Sequence, residues 1–137
     1  MADRLKGKTV LVLGAGCMGE GWGNGSAAAA TFAREGANVV CADMNEEAAA
    51  NTAELVRKEG REALHLRADV AVADDLERAV ARTVETFGRI DVLHNNAGIS
   101  DRAGPVDGTE ENWDRVFDVN AKGAFLACKA AIPHMQR

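Results

Sequence analysis

The chain has no tyrosine. Chemistry that needs a phenol to carry a proton is therefore outside the reach of these 137 residues. It has no lysine- or arginine-rich stripe, and its net charge is −5, which argues against a nucleic-acid or anionic-membrane partner. No apolar run approaches the length of a membrane span, and Met1-Ala-Asp-Arg-Leu-Lys6 lacks the apolar core of a signal peptide. Cysteine is scarce: Cys17, Cys41 and Cys128 are odd in number, widely spaced and form no Cys-x-x-Cys pair. That usage fits a reduced, cytoplasmic setting better than a disulfide framework. His65, His94 and His134 share no metal-like spacing and read as satisfied strand or surface residues. No repeat, linker or low-complexity segment interrupts the chain.

What is present is a core-forming chain, 47% hydrophobic and 27% charged, of a length that suits one domain. The stretch from Val10 to Asp43 organises it. Strand Thr9–Leu13 is short and wholly aliphatic, as in a parallel strand buried on both faces. A glycine-rich turn follows over Gly14–Gly25, then an alanine-rich helix from about Ser26 to Glu35 that stops at Gly36. A second strand, Val39–Asp43, ends in a carboxylate.

Beyond it, Asn45 is a plausible N-cap, with Glu46 and Glu47 in the first turn of a helix whose inner face carries Ala48, Thr52, Leu55 and Val56. Ala63–Asp69 reads as an edge strand, because Leu64 and Leu66 alternate with His65 and Arg67. Asp74 and Asp75 open an amphipathic helix through Leu76, Ala79, Val80, Thr83, Val84 and Phe87, closed by Gly88. Ile90–His94 is a fourth strand, Asn95–Gly98 a tight turn, and Thr109 the N-cap of a last helix that carries Trp113, Val116 and Phe117 and runs to Pro133. Strand alternating with helix predicts an α/β fold: a Rossmann-type, doubly wound parallel sheet with right-handed crossovers and four strands present. With a helix last and strand four at an open edge, residues 1–137 read as one dinucleotide-binding domain that is the N-terminal part of a larger one.

Gly14-x-Gly16-x-x-Gly19 fits the dinucleotide pattern, and its context is what gives it weight. A strand enters it, a helix leaves it, and Asp43 stands at the tip of the next strand. Glycines let the backbone approach a pyrophosphate, whose charge sits at the helix N-terminus, and Asp43 can accept hydrogen bonds from the adenosine ribose. A carboxylate there repels a 2′-phosphate, which favours NAD over NADP. Helix capping is the plainer role for Asp43, and turn formation for Asp69. A P-loop is excluded, since no lysine precedes Ser26.

Several segments resemble the N-terminal half of the classical short-chain dehydrogenases/reductases. They are Gly14 with Gly23-Asn24-Gly25, Phe32-Ala-Arg-Glu-Gly-Ala37, Asp69-Val70, Phe87-Gly-Arg-Ile-Asp-Val92, Asn95-Asn96-Ala97-Gly98 and Phe117-Asp-Val-Asn120-Ala-Lys-Gly123. The Asn-Asn-Ala-Gly turn is the most specific. The resemblance implies that Asp69 and Val70 contact the adenine and that Asn96, Ala97 and Gly98 lie beside the cofactor. It implies that Asn120 breaks its helix locally and holds a water of a proton relay. It also implies hydride transfer between a nicotinamide cofactor and an alcohol or ketone, and a dimer interface on the last helix.

The chain departs from that pattern in two places. Leu13 replaces the usual threonine, and eight residues separate Gly14 from Gly23 where the family has three. Either Gly23-x-Gly25 starts the helix, with the insert and Trp22 bulging over the pyrophosphate, or Gly19 starts it. The first register keeps the family spacing from Gly25 to Phe32, and Trp22 is expected to pack the loop rather than touch the nicotinamide. Cys17 is the cysteine whose pKa a helix N-terminus could lower. Gly14-Ala-Gly-Cys-Met-Gly19 also resembles hydroxyacyl-CoA dehydrogenase loops, although Asn95–Gly98 and Asn120 count against that branch.

The family's catalytic Ser, Tyr and Lys are expected on later elements, so Asn120 is the only catalytic position present. A non-catalytic dinucleotide-binding module or a truncated product is the rival reading. The 137-residue chain alone is expected to show no dehydrogenase turnover, and NADH formation from any alcohol by the pure chain would refute that.

Overall fold

The computed structural model describes residues 2–17 and 21–137. Gly19, the alternative helix start, lies outside the described residues. The elements run β1 (Thr9–Leu13), α1 (Asn24–Arg34), β2 (Asn38–Asp43), α2 (Glu46–Lys58), β3 (Ala63–Arg67), α3 (Ala73–Phe87), β4 (Val92–Asn95), α4 (Glu110–Phe117), a π-helical turn (Asp118–Lys122) and α5 (Gly123–Met135). All strand pairs are parallel, in the order β3-β2-β1-β4, so β3 and β4 are the edges. Chain order reverses between β1 and β4, and crevices open at such a reversal beyond the carboxyl ends of the strands.

The strand period divides the core. Val10 and Val12 of β1 and Val39 and Cys41 of β2 pack against Ala29, Ala33, Ala49, Ala53 and Val56 of α1 and α2. Leu11, Leu13, Val40 and Ala42 face Leu76, Ala79 and Val80 of α3 and Ala127 and Ala131 of α5 on the other side. Every residue of β1 is buried. Alanine on the helices is what allows this closeness, since a larger side chain would push the helix off the sheet. Burial holds the Cys41 thiol neutral, pushing its pKa up to about 12.

Local chemistry sets most of the boundaries. Asn45 caps α2, its Oδ1 accepting from the Ala48 N–H at 3.2 Å, and Thr109 caps α4, its hydroxyl accepting from the Asn112 N–H at 3.1 Å. Several boundaries differ from the sequence reading. α1 starts two residues earlier, at Asn24, and β3 ends at Arg67, because the Asp69 side chain turns the backbone there. β4 runs from Val92 into Asn95 rather than from Ile90 to His94, so Asn95 is strand and not turn. The last helix is also not one α-helix, because a π turn separates α4 from α5.

Two histidines lack the satisfaction expected of them. The Nδ1 atoms of His65 and His134 are buried without a hydrogen-bond partner among the described residues. Glu46 Oε1 stands 3.8 Å from His65 Nδ1, beyond hydrogen-bond reach.

α4 buries none of its residues. Trp113 and Phe117 stack at 4.5 Å between ring centroids and stay exposed, as do Phe125 and Ile132 on α5.

Candidate functional site

Loops after all four strands converge on a cleft of about 1530 Å³ at the carboxyl edge of the sheet. Its floor is a contact between two pieces of backbone. Gly14 has φ +74, a left-handed conformation, and a Cβ there would lie 2.7 Å from the Ala97 Cα. A Cβ on Gly25 would lie 2.0 Å from the Gly14 carbonyl oxygen. Only glycine fits at either point. The Asn96 Nδ2 donates to that same carbonyl at 3.0 Å, and the Asn96 N–H donates to the Leu13 carbonyl at 3.0 Å, so the loop after β4 is tied to the loop after β1.

α1 begins at Asn24 with Gly23 as its N-cap, as the register on Gly23-x-Gly25 requires. Glycine has no side chain to cap with, and Ser26 does that work. Its hydroxyl accepts from the Gly23 N–H at 2.9 Å and donates to the Gly23 carbonyl at 3.0 Å. The first N–H groups of α1 then point into the cleft, where a helix N-terminus attracts an anion. The sequence reading missed Ser26 as a support. Its signal is a hydroxyl three residues after the cap.

Asp43 reaches across from the end of β2. Its Oδ2 accepts from the Gly16 N–H at 2.9 Å and its Oδ1 from the Asn45 N–H at 3.0 Å. A Cβ on Gly16 would lie 2.8 Å from the Asp43 carboxyl carbon, so this pairing also needs a glycine. Capping of α2 falls to Asn45, and the Asp43 carboxylate stays on the cleft wall with lone pairs to spare.

Asp69 makes a local turn, its Oδ1 accepting from the Ala71 N–H at 2.9 Å. Asp75 braces it, with Oδ2 accepting from the Asp69 N–H at 2.9 Å. That bond holds the Asp75 carboxyl below the usual carboxylate range, with Arg78 and Arg67 adding to it and partial burial opposing. The sequence marked Asp75 only as a helix opener. Val70 is nearly buried and wedged against α5, where a Cβ on Gly123 would lie 3.0 Å from Val70 Cγ2. What Val70 presents to the cleft is therefore mostly backbone.

Asn120 lies in the π turn. Its Oδ1 accepts from the Ile99 N–H at 2.8 Å and its Nδ2 donates to the Ile99 carbonyl at 2.7 Å, a two-point clamp on the chain just after Gly98. A π turn widens the helix by one residue and recurs at functional sites. Here it carries the amide that holds Ile99. Trp22 does not pack the loop as expected. It is 63% exposed and lines the cleft. The Cys17 thiol donates to the Gly21 carbonyl within the same loop.

The structure thus brings Gly14, Gly16, Gly23, Asn24, Gly25, Asp43, Asp69, Val70, Asn96, Ala97 and Gly98 to one cleft, and Asn120 to its floor through Ile99. A parallel sheet with helices on both faces and a glycine-floored cleft at its switch point defines a Rossmann-type α/β domain. Residues 8–137 match the family model for short chain dehydrogenases, and the chain belongs to that family.

Two relatives and one solved structure show the range. An uncharacterized oxidoreductase of Thermotoga maritima is 43% identical over 97% of this chain and 50% of its own length. The 2,5-dichloro-2,5-cyclohexadiene-1,4-diol dehydrogenase LinX of Sphingobium indicum is 41% identical over 98% of this chain and 52% of its own. A crystal structure from Burkholderia xenovorans, assigned to the short-chain dehydrogenases/reductases, superposes with a TM-score of 0.92 at 44% identity, covering 97% of this chain and 51% of that one. The chain spans about half the length of the relatives it matches.

Replacing Asn120 by alanine removes both bonds to Ile99. Because they lie at the surface, the loss is expected to be modest, on the order of 1–2 kcal/mol of stability. The Ile99 amide should exchange with solvent much faster in Asn120→Ala, while that of Leu11 in the sheet centre keeps its relative protection. Unchanged Ile99 exchange would show that the clamp does not hold the loop.

Proposed function

We propose that this chain is the cofactor-binding half of an NAD-dependent oxidoreductase of the short-chain type, acting in the cytoplasm on an alcohol or ketone. The observation that carries the reading is the Gly16 N–H to Asp43 Oδ2 contact, which sets a carboxylate beside the N-terminus of α1 in one cleft. Gly14, Gly16, Gly23, Asn24 and Gly25 form the pyrophosphate cradle, where a charged diphosphate meets backbone N–H groups. Asp43 takes the ribose hydroxyls. Asp69 and Val70 border the adenine through their backbone, and Asn96, Ala97 and Gly98 give the rest of the dinucleotide a wall of small groups. Asn120 fixes that wall by holding Ile99. The nicotinamide group supplies the hydride chemistry when bound.

The absence of tyrosine favours one second reading, a dinucleotide-binding module without turnover. Both readings need the same cradle. The half-length match to relatives supports placing residues 1–137 as the front of a longer single domain, in which following segments add the proton-transfer residues and the substrate pocket.

Selectivity follows from charge. A 2′-phosphate would meet the half-buried Asp43 carboxylate, and like charges so placed repel. In calorimetric titrations NADH is expected to bind at least about tenfold tighter than NADPH. Asp43→Ser should narrow that gap. Equal affinity for the two cofactors in the unmodified chain would refute the role of Asp43, and no binding of either would refute the reading as a whole.

We infer as well that the protein assembles with copies of itself. The support is the exposed stripe of Trp113, Phe117, Phe125 and Ile132 together with the open edge of β4. Light scattering is expected to report species heavier than 14.5 kDa at micromolar concentration. A monodisperse monomer would overturn the inference.

A further inference from the structure

Two large apolar side chains on the cleft wall are left in the open. Trp22 is 63% exposed and Met44 is 49% exposed, and both line the cleft. Exposed apolar groups inside a concave site, rather than scattered over a surface, mark where a ligand lies.

A short chain of contacts links the backbone of both to Asp43. Trp22 precedes Gly23, and a Cβ on Gly23 would lie 3.5 Å from the Gly16 carbonyl oxygen. Gly16 in turn donates its N–H to Asp43 Oδ2 at 2.9 Å. Met44 is the residue after Asp43. The backbone carrying Trp22 is anchored on both sides. The Gly21 carbonyl accepts from the Cys17 thiol, and the Gly23 N–H donates to Ser26 Oγ. Ala97, Gly98 and Ile99 line the same cleft from the loop after β4, on the opposite side of β1 from β2 and Asp43.

We propose that Trp22 covers the adenosine half of the bound dinucleotide, at the end of the cleft that Met44 also lines, and strengthens the binding of that half. This rests on the cofactor reading given above. An indole offers a broad apolar face that covers a ribose or stacks on a purine, and stacking of this kind tolerates any base with a π face. The inserted residues of the glycine loop thus bring to the cleft a side chain that the glycine cradle itself lacks.

The chain has two tryptophans, so Trp113→Phe leaves Trp22 as the only indole emitter. In that variant, ADP-ribose should quench or shift the emission with the dissociation constant that calorimetry gives, and nicotinamide mononucleotide should leave it unchanged. In the background with both tryptophans, Trp22→Ala is expected to weaken ADP-ribose binding roughly tenfold, and Trp22→Phe to keep most of it. Calorimetric binding of ADP-ribose with no change in Trp22 emission overturns the proposal, as does an unaltered dissociation constant in Trp22→Ala or a response to nicotinamide mononucleotide alone. If ADP-ribose gives no heat with the unmodified chain, the cofactor reading fails first and the proposal falls with it.

Discussion

The structure depends on how closely two backbones meet at the end of β1. The Gly14 carbonyl oxygen lies so near the Gly25 Cα that a Cβ there would sit 2.0 Å from it. No side chain can be accommodated by a few tenths of an ångström of movement when the obstacle is main chain. That contact aims the N-terminus of α1 into the cleft, and the Asn96 amide reaching the same carbonyl locks the loop after β4 against it. A third glycine, Gly16, lets the Asp43 carboxylate tuck in beside the helix start. The lack of side chains at these positions makes room for the protein's own backbone and for the Asp43 carboxylate.

The second organising feature is the join between helix and sheet around Ile99. β4 ends at Asn95, and the chain then runs without regular structure past Gly98. Left alone, such a segment is held by few contacts and opens readily. Asn120 grips it at both backbone atoms of Ile99, and the π turn of Asp118–Lys122 is what carries that amide. On the far side, Val70 packs against Gly123 where α5 begins. The same long helix therefore supports two walls of the cleft, the loop after β3 through Val70 and the loop after β4 through Asn120. A disturbance of the helix near Asn120 reaches both.

The apolar stripe on α4 and α5 stands apart from this logic. It faces away from the sheet, and α4 has no buried residue to explain its tryptophan and phenylalanine. A helix with a large apolar stripe gains little in water unless something covers it. The chain spans about half the length of the relatives it matches, and among the described residues this stripe is exposed and the sheet edges at β3 and β4 are unpaired.

The sequence by itself determined the order of strands and helices, the glycine floor, the Asn45 and Thr109 caps and the place of Asp43. Each of these follows from local rules: aliphatic runs, helical spacing, capping side chains and residues without a Cβ. The choice of Gly23-x-Gly25 as the helix start came from the resemblance to the family, whose spacing to Phe32 it keeps, and α1 begins at Asn24. Only the tertiary structure decided what depends on distant partners. Asn120 binds Ile99, 21 residues away, and Asp75 braces the Asp69 turn. Val70 is turned into the core by Gly123, a contact between loop and helix that no periodicity signals. Trp22 was expected to pack the loop rather than touch the nicotinamide. It is 63% exposed and lines the cleft instead, which no local rule in the sequence signals.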